Sequence, residues 1–499
     1  MGRFEEILKE RLKKIEELRK IGIEPYPYSF DRTASSKEIH NIKLKIDEKG
    51  KKLFRVAGRV IGKRVLGNIS FCHIQDNEGK LQIVFEKNFS KEALEFFKKY
   101  IDVGDFIGIE GVAYKTKTGE TSILAKKITL LSKSIFPLPE KWHGLRDVEE
   151  RYRKRYIDLI VNPEVRKVFE MRTKIINAIR EFLNSKGFIE VETPLLQPVY
   201  GGATARPFIT ELHELHMPMY LSISPELYLK RLLVGGFEKV YTICKNFRNE
   251  GIDRSHNPEF TMLEAYWAYV DYNAMMELFE EIFEYTLKKL GLKKVIEYQG
   301  KKIDFTRPWP KITVYDAIKK YLGIDVESLS EKELIEEAKK HGILQKAEEK
   351  LKVKAIDDLN FLRGFIIDGF LDMVTPNFVQ PTHLIDHPFE STPLCKKNRK
   401  NPYLIERSEP FVAGMEVGNI YSELNDPLLQ KKLFELQEKA LKREEAHPMD
   451  KDFIDALSYG MPPAGGLGLG IDRMVMILTN QPSIRDVILF PFMKPEKEG

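Results

Sequence analysis

The segment from Lys239 to Tyr269 constrains the fold most strongly, because it predicts two long strands joined by a polar loop. Residues 240–247 and 260–267 are rich in apolar and aromatic side chains that suit a pleated, half-buried surface. Between them, residues 251–258 contain glycine, asparagine, proline and several charged residues, a composition typical of a loop. The segment therefore predicts an antiparallel pair of strands.

Polar residues of this pair are predicted to share one surface. Side chains alternate along a strand, so Arg248 and Glu250 are expected on one face of the first strand, and Phe260, Glu264 and Tyr266 on one face of the second. Such a surface suits a charged ligand better than a hydrophobic core. The alternative is a solvated cross-strand ion pair, which the bulky apolar neighbours disfavour.

Length and composition limit the class of protein. A chain of 499 residues predicts two or more domains. With 80 basic and 75 acidic residues the net charge is only +5, so nucleic-acid binding would depend on local patches. Cys72, Cys244 and Cys395 are too sparse for a disulfide scaffold or a metal site. We find no secretory signal and no membrane-spanning apolar run, which predicts a reducing, cytoplasmic setting.

Differences in residue pattern along the sequence divide the chain into four segments. Residues 1–52 form an N-terminal helical extension, and residues 53–135 contain five short β-like runs, the number expected for an OB-fold barrel. Residues 136–163 are predicted to be a linker, and the α+β remainder, 164–499, includes a charged helical insertion at about 311–375. Helical periodicity is clearest in residues 4–21, 164–186 and 272–290.

A second hairpin is predicted to bring two carboxylates together. A two-residue turn at 413–414 pairs Phe411 with Glu416, which places Glu409 diagonally next to Glu416 on one face. Two carboxylates at that separation repel each other unless a cation lies between them. Mg²⁺ that also binds substrate phosphates is the usual solution, so Glu409 and Glu416 are candidate metal ligands.

The strand after this turn carries a polar trio, Asn419, Tyr421 and Glu423. The trio could be the solvated face of an ordinary strand. Glu416 and Asn419 are separated by an odd number of positions, so both can face one site only if the strand is bulged. We therefore predict a β-bulge near Gly418.

The glycine-rich run 465–478 leads into a helix and is a candidate nucleotide site. Ile471 occupies the position of the third glycine of a dinucleotide fingerprint, and no GxxxxGK phosphate loop occurs in the sequence. Close backbone approach, a helix N-terminus and Arg473 would suit phosphate or a purine ring. Tight packing of a helix against a sheet explains the glycines equally well.

Two further patterns have ordinary explanations. Ser224 is predicted to cap a helix with Pro225 in its first position, and Glu226 could simply complement the helix dipole. The histidines of 213–216 and 383–387 have helical spacing but no third ligand, which does not favour a zinc site.

Together, and in this order, these elements resemble the class II aminoacyl-tRNA synthetases, and most nearly the bacterial lysyl-tRNA synthetases. The resemblance covers almost the whole chain. Residues 187–197 are similar to the first class-defining motif, which builds a dimer interface; 247–260 and 466–473 are similar to the second and third. It implies an anticodon-binding OB domain followed by a catalytic domain whose antiparallel sheet is flanked by helices.

The resemblance also implies residue roles. Arg248 and Arg473 would be catalytic, and Phe260 with Arg473 would enclose the adenine. The implied ATP-binding residues are Arg248, Glu250, His256, Asn257, Phe260, Glu409, Glu416, Val417, Gly470 and Arg473, with Glu409 and Glu416 also holding Mg²⁺. The implied lysine-binding residues are Gly202, Ala203, Glu226, Arg248, Glu264, Tyr266, Asn419, Tyr421 and Glu423.

The lysine specificity implied by the resemblance agrees with simple electrostatics. Glu226 stands where the aspartyl and asparaginyl relatives have glutamine, and residues 201–208 resemble a loop that covers bound lysine. A buried ammonium needs an opposite charge, and two unpaired glutamates would be costly. A pocket containing Glu226 and Glu423 should therefore reject neutral and acidic amino acids.

In the barrel, Phe71, Gln82 and Glu120 match family positions that contact a uridine-rich anticodon. Stacking on single-stranded bases is a common property of OB-fold surfaces. Where an arginine is common in the family this chain has Lys63, followed by Arg64, and the sequence does not decide how these two share the contacts.

The resemblance implies a two-step ligation of lysine to tRNA(Lys) by a homodimer that uses ATP and Mg²⁺ and needs no protein nucleophile. Three alternative functions are each opposed by a feature of the sequence. A class II synthetase for aspartate or asparagine is opposed by Glu226 and Glu423. A lysyl-adenylate-forming protein that modifies other proteins lacks the anticodon barrel. A nucleic-acid binder with a degenerate second domain would not keep every ATP contact.

Overall fold

The computed structural model describes residues 2–139, 145, 147–345, 359–440 and 448–495. The chain divides into two compact units, Met1–Arg146 and Asp147–Gly499. The helices are α1 (Arg3–Lys20), α2 (Ser36–His40), α3 (Lys91–Tyr100), α4 (Val148–Arg153), α5 (Arg155–Val161), α6 (Pro163–Ser185), α7 (Glu226–Val234), α8 (Tyr272–Lys289), α9 (Val314–Leu322), α10 (Glu331–Lys340), α11 (Leu359–Val374), α12 (Pro427–Ala440), α13 (Lys451–Ser458), α14 (Ile471–Leu478) and α15 (Ile484–Val487).

The strands are β1 (Lys49–Val65), β2 (Ile69–Gln75), β3 (Lys80–Glu86), β4 (Phe106–Lys115), β5 (Thr121–Ser132), β6 (Ile189–Glu190), β7 (Leu196–Gln197), β8 (Ile209–Leu212), β9 (Met217–Leu221), β10 (Lys239–Phe247), β11 (Glu259–Ala268), β12 (Val295–Tyr298), β13 (Lys301–Asp304), β14 (Lys311–Thr313), β15 (Thr382–Pro388), β16 (Leu404–Val412), β17 (Met415–Glu416), β18 (Gly418–Ser422) and β19 (Ala464–Gly470). In the described ranges no helix combines the length and the apolar character that crossing a membrane requires.

The first unit is the predicted five-stranded barrel, closed in the order β1-β2-β3-β5-β4. Along β2 the buried residues alternate with partly exposed ones, as expected for a strand with one face in a core. Cys72 and Ile74 point into the barrel with the apolar residues of β3 and β5. Within residues 1–52, Leu18 of α1 and Ile39 near the end of α2 are fully buried against this core.

The second unit is built on a nine-stranded sheet with the order β14-β15-β16-β18-β19-β11-β10-β6, where β17 pairs with β16. The inner pairs are antiparallel, and only the two outermost pairs are parallel. α6, α8 and α14 bury their apolar faces in one core against this sheet. The predicted antiparallel sheet flanked by helices is confirmed.

The antiparallel pair predicted between Lys239 and Tyr269 is formed by β10 and β11. Its register runs from Lys239 opposite Trp267 to Phe247 opposite Glu259. One detail of the prediction was wrong, because β10 ends at Phe247. The Glu250 N–H donates to the Arg248 carbonyl at 2.9 Å, a tight turn that ends the extended pleat. Arg248 and Glu250 therefore lie in the loop after β10, where alternation along a strand does not apply.

Two other predicted segments contain packed helices. The second half of the 136–163 linker forms α4 and α5, and Arg155 is buried there, donating to the carbonyls of Arg485 and Leu489 at 2.8 and 3.1 Å. The 311–375 insertion contains α9, α10 and α11 around a small core of its own. Residues 346–358 of the predicted insertion lie outside the described residues.

Candidate functional site

A cavity of about 850 Å³ opens on one face of the large sheet. It is lined by β11, β16, β18 and β19, by the start of α7 and by residues 202–204 and 248–257. The structure brings every residue that the sequence predicted for ATP or lysine to the wall of this one cavity. One part of the wall belongs to α11 of the insertion, for which the sequence predicted no role.

At one end of the cavity, arginines and aromatic groups lie close together. The Arg248 guanidinium lies 5.1 Å from the centre of the Phe260 ring, and its buried Nε has no hydrogen-bond partner within the part of the chain that is described. Burial lowers the pKa of Arg248. In the first turn of α14, Arg473 donates to the Glu416 carbonyl at 2.5 Å and lies 3.3 Å from His256 Nε2. An anionic ligand could satisfy the free Arg248 donor.

A buried network that the sequence did not reveal fixes the base of this end. Arg172 of α6 forms an ion pair with Asp472 at 2.5 Å and donates to the Thr261 hydroxyl at 3.0 Å. The second Asp472 oxygen accepts the Thr261 backbone N–H at 2.7 Å. The network therefore joins α6 and β11 to the first turn of α14, where Arg473 lies.

The predicted carboxylate hairpin is confirmed. Phe411 pairs with Glu416 across a two-residue turn in which Ala413 and Gly414 have φ of 54° and 79°. Further along, Ser408 pairs with Ile420, so the returning chain contains one extra residue. This is the bulge predicted near Gly418, and it lets Glu416 and Asn419 both reach the cavity.

Arg407, for which the sequence predicted no role, connects the metal-ligand candidate Glu409 to the lysine-site candidates Asn419 and Tyr421. It forms an ion pair with Glu409, and its Nε donates to Asn419 Oδ1 at 3.1 Å. Its guanidinium lies 5.7 Å from the centre of the Tyr421 ring, and Asn419 donates to the Tyr421 hydroxyl at 2.6 Å. The spacing of two between Arg407 and Glu409 along a strand was a usable signal.

The other end of the cavity is rich in buried carboxylates. Glu264 accepts hydrogen bonds from Ser224 at 2.7 Å and from Tyr266 at 3.1 Å. Burial, with a contribution from Glu226, raises the pKa of Glu264 to about 8. The helix prediction here was wrong by one residue: α7 begins at Glu226 with Pro225 as the N-cap, although the Ser224 hydroxyl still accepts the Glu226 N–H at 3.1 Å.

Lys230 lies between two of the predicted lysine-binding carboxylates. Its Nζ is 2.6 Å from Glu226 Oε1 and 2.5 Å from Glu423 Oε2, and all three side chains are buried. Glu423 Oε1 is also buried and has no hydrogen-bond partner among the described residues. Burial raises the pKa of Glu423 to about 7 although Lys230 acts to lower it. The spacing of four between Glu226 and Lys230 on a helix was the missed signal.

In the first unit, strand register separates the two candidate anticodon cations. Arg64 lies opposite Phe71, and Lys63 lies opposite Cys72, which is in the barrel core. Lys63 Nζ donates to the carbonyls of Lys98 and Ile101, at 3.1 and 2.5 Å, at the C-terminal end of α3. Arg64 is exposed on the face that carries Phe71.

The other two predicted anticodon residues lie close to this face. Gln82 lies opposite His73, two residues from Phe71, and donates to the Ser122 hydroxyl at 2.9 Å. Glu120 is exposed, with a carboxylate oxygen 3.3 Å from His73 Nε2. Arg64, Phe71, Gln82 and Glu120 therefore lie around one surface of the barrel, whereas Lys63 reaches the end of α3.

The histidine patterns do not form a metal site. Residues 383–387 lie in β15, not in a helix, so their spacing of four is not that of helical neighbours. His383 is buried with Ser408 and Glu280 at 3.0 and 3.3 Å. Considering only the residues that the structure describes, no group of three or more histidine, cysteine or acidic residues could hold a metal ion.

Comparison with known proteins gives a consistent picture. A family described as class II tRNA synthetases (D, K and N) matches residues 147–494, and an OB-fold nucleic acid binding domain matches residues 54–131. The lysine–tRNA ligase of Carboxydothermus hydrogenoformans is 50% identical over 495 residues, which cover 98% of each chain. The lysine–tRNA ligase of Thermotoga maritima is 47% identical over 501 residues, covering 99% of this chain and 97% of its own.

Proposed function

This chain belongs to the class II aminoacyl-tRNA synthetases, and we propose that it ligates L-lysine to tRNA(Lys) with ATP. The observation that carries the choice of lysine is the Glu423 carboxylate. It is fully buried, one of its oxygens lacks a hydrogen-bond donor in the described ranges, and it lines the cavity beside Glu226. A buried carboxylate without a full set of partners is costly, and a substrate ammonium would remove that cost.

The reaction has two steps. A carboxylate oxygen of lysine attacks the α-phosphorus of ATP, and the bond to the β-phosphate oxygen breaks, giving lysyl-adenylate and pyrophosphate. A hydroxyl of the terminal tRNA ribose then attacks the lysyl carbonyl, and AMP leaves. Binding energy and positioned charge are sufficient for such a transfer, and no protein nucleophile takes part.

Arg248 is the residue best placed to serve the first step. Arg248 lines the cavity, its buried Nε has no hydrogen-bond partner among the described residues, and its guanidinium can donate both to the lysine carboxylate and to the α-phosphate. The Phe260 ring centre lies 5.1 Å from its guanidinium, and Arg473, which also lines the cavity, would enclose the adenine together with Phe260. Glu264, which Ser224 and Tyr266 orient, would bind the α-ammonium.

Glu409 and Glu416 have the chemistry that a magnesium site needs. Both line the cavity on one hairpin, and both offer the hard oxygen ligands that Mg²⁺ prefers. Proteins usually supply one or two carboxylates to a bound Mg²⁺ ion, and substrate phosphates and water supply the remaining ligands. When bound, the ion would offset the negative charge of the phosphates. Arg407 fixes the rotamer of Glu409, whereas Glu416 is more exposed.

The barrel surface around Phe71 is the proposed anticodon site. Phe71 offers a ring on which a base can stack, and Arg64 supplies a positive charge directly opposite on β1. Gln82 and Glu120 offer groups that could read base edges.

The proposed assembly is a homodimer. Large apolar side chains are exposed in and beside the small β7–β9 sheet, which begins within the first motif: Leu195, Leu196, Ile209, Leu212 and Leu215. A cluster of exposed apolar side chains of this kind marks an interaction surface, and a second copy of the chain would cover it. The unpaired Cys72, Cys244 and Cys395 fit the proposed cytoplasmic location.

Amino-acid-dependent exchange of pyrophosphate into ATP tests the proposal. Among the standard amino acids, lysine should support exchange by a wide margin. Exchange supported by aspartate or asparagine would instead identify a different member of the class. Charging of tRNA(Lys) in the same preparation separates a tRNA ligase from an adenylate-forming protein that modifies other proteins.

A further inference from the structure

The Lys230 ammonium has an environment that is unusual for a lysine. Its side chain is completely buried, and its Nζ contacts Glu226, Glu423 and, at 3.5 Å, the Leu394 carbonyl. Burial acts to lower its pKa, but the two carboxylates outweigh burial and raise it, so Lys230 is charged at neutral pH. The protein therefore keeps a lysine ammonium of its own against the two carboxylates proposed to bind a lysine substrate.

The charges at this end of the cavity explain why. When all three are ionised, the buried carboxylates Glu226, Glu264 and Glu423 are opposed by Lys230 and by Arg248, whose charge reaches Glu264 from the other end of the cavity, which leaves one uncompensated negative charge. Lysine at neutral pH carries two ammonium groups and one carboxylate, a net charge of +1. The net charge of the pocket and the bound lysine together is therefore zero. Without Lys230 the pocket would carry two uncompensated negative charges, and bound lysine would offset only one of them.

Other charged groups lie near the pocket, but among the described residues Lys230 is the cation in direct contact with both Glu226 and Glu423. Arg407 and Glu409 form an ion pair that is neutral as a unit. Lys396 follows Cys395, which pairs with Glu423, and its charge acts with that of Lys230 to lower the pKa of Glu423, although Lys396 itself lines a different cavity. Tyr266 faces the carboxylates. Burial raises the pKa of its hydroxyl, and the three carboxylates raise that pKa further, so the hydroxyl is neutral.

We propose that Lys230 is a specificity-determining positioning residue that sets the charge of the lysine pocket and turns the free oxygen of Glu423 toward the substrate. The proposal rests on the proposed function. Lys230 Nζ makes an ionic contact with Glu423 Oε2 at 2.5 Å, and neither Glu423 oxygen has a hydrogen-bond partner among the described residues, so Oε1, which Lys230 does not contact, is left for the substrate ammonium. It also acts to lower the pKa values of both carboxylates, which burial raises, since a nearby positive charge favours the charged form of an acid.

Replacement of Lys230 by methionine tests this idea, because methionine keeps most of the side-chain length and removes the charge. In lysine-dependent pyrophosphate exchange, Lys230→Met should raise the KM for lysine about 10- to 100-fold, in line with the loss of a buried charge partner. The KM for ATP should change by less than about threefold, because Lys230 is fully buried and contacts Glu226 and Glu423, which are proposed to bind lysine and not ATP.

Two readouts distinguish charge setting from a merely structural role. The acidic limb of the kcat/KM profile for lysine should move to higher pH, by about one pH unit or more, because Glu226 and Glu423 become harder to ionise. Lysinamide, which carries two positive charges and no carboxylate, should also improve as an inhibitor relative to lysine, since the altered pocket has gained one uncompensated negative charge.

Lys133→Met is the matched control. Lys133 is equally buried and bridges Asp102 and Asp105 at 2.5 and 2.7 Å in the barrel unit. Its loss should lower the melting temperature without moving the lysine KM or the acidic limb. If Lys230→Met does not fold, Lys230→Gln retains a hydrogen-bond donor without the charge and should show the same shifts.

An unchanged acidic limb, together with equal changes in the two KM values, would overturn the proposal and leave Lys230 a structural residue. Failure of the proposed function would look different. In that case the unmodified protein would show no lysine-dependent exchange, whatever the behaviour of the variants.

Discussion

A Cβ atom placed on Gly466 would lie 2.1 Å from Glu423 Oε1, so this glycine of β19 lies directly against the free carboxylate oxygen of the pocket. The same Cβ would lie 2.6 Å from the Tyr266 ring. The glycines of 465–470 therefore do two things. They let α8 approach the sheet, as at Gly465 against Met275, and they leave space for side chains on the cavity side.

Gly466→Ala should therefore displace Glu423 and raise the KM for lysine at least about tenfold, because a buried carboxylate is moved away from its partners. Steady-state pyrophosphate exchange would measure the effect. Gly468→Ala is the matched control: the nearest atom to its Cβ would be the flexible Met262 Cε, at 3.3 Å, and the Asn419 carbonyl oxygen and Glu264 Cγ, both at 3.9 Å, would be at ordinary contact distance. Equal effects of the two substitutions on the lysine KM would contradict this account of Gly466.

The pH dependence of lysine capture follows from the buried carboxylates. Glu423 has a pKa of about 7 and Glu264 of about 8, both raised first by burial, so each is partly protonated at neutral pH in the empty enzyme. Only the ionised forms attract ammonium groups. We expect kcat/KM for lysine to rise as pH increases from about 6.5 to 8.5. The KM for ATP should follow a different profile, and a flat lysine profile over this range would refute the prediction.

Arg248→Ala should reduce lysine-dependent exchange by a factor of at least about 10² to 10³, the usual cost of losing a positioned donor to developing negative charge. The effect should fall on kcat as well as on KM, since the guanidinium is proposed to contact the reacting phosphate. Arg166→Ala serves as a control, because Arg166 forms only an exposed ion pair with Glu170 on α6. Substantial exchange by the Arg248 variant would count against the proposed reaction.

Much of this site could be predicted because its geometry is local. The Ala413–Gly414 turn fixes which residues pair, so the neighbouring positions of Glu409 and Glu416 followed from the sequence alone. The bulge could be predicted because Glu416 and Asn419 are an odd number of positions apart, and such residues share one face of a strand only if the strand is bulged. The resemblance to a known family then indicated which local patterns belong to one cavity.

The rest depended on contacts between distant segments or on turns. Lys230 and Glu226 look like an exposed helical ion pair in the sequence, and only the fold brings Glu423 to the same ammonium. The tight turn after Phe247 moved Arg248 out of the strand. Arg172 lies 300 positions from Asp472, and no local pattern connects them.

The register of β1 and β2 leads to a paired prediction in the barrel. Arg64→Ala should raise the KM for tRNA(Lys) about three- to tenfold, because Arg64 is exposed opposite Phe71. Lys63→Ala should mainly lower the melting temperature, since Lys63 caps the carbonyls at the end of α3. Pyrophosphate exchange without tRNA should be unaffected in both variants. A larger tRNA effect for Lys63 would reverse the assignment.

The last prediction concerns magnesium and uses the different surroundings of the two hairpin carboxylates. Glu416→Gln should increase the Mg²⁺ concentration needed for half-maximal exchange several-fold, because it removes a charged oxygen ligand; Arg473 loses its 3.5 Å ion pair with Glu416 but keeps its hydrogen bond to the Glu416 carbonyl. Glu409→Gln should do the same and also raise the KM for lysine. It leaves Arg407 without its carboxylate partner, and Arg407 orients Asn419 and Tyr421 at the lysine end. Titrating Mg²⁺ and lysine separately for each variant measures both effects, and an unchanged lysine KM in Glu409→Gln would show that Arg407 does not couple the two ends of the cavity.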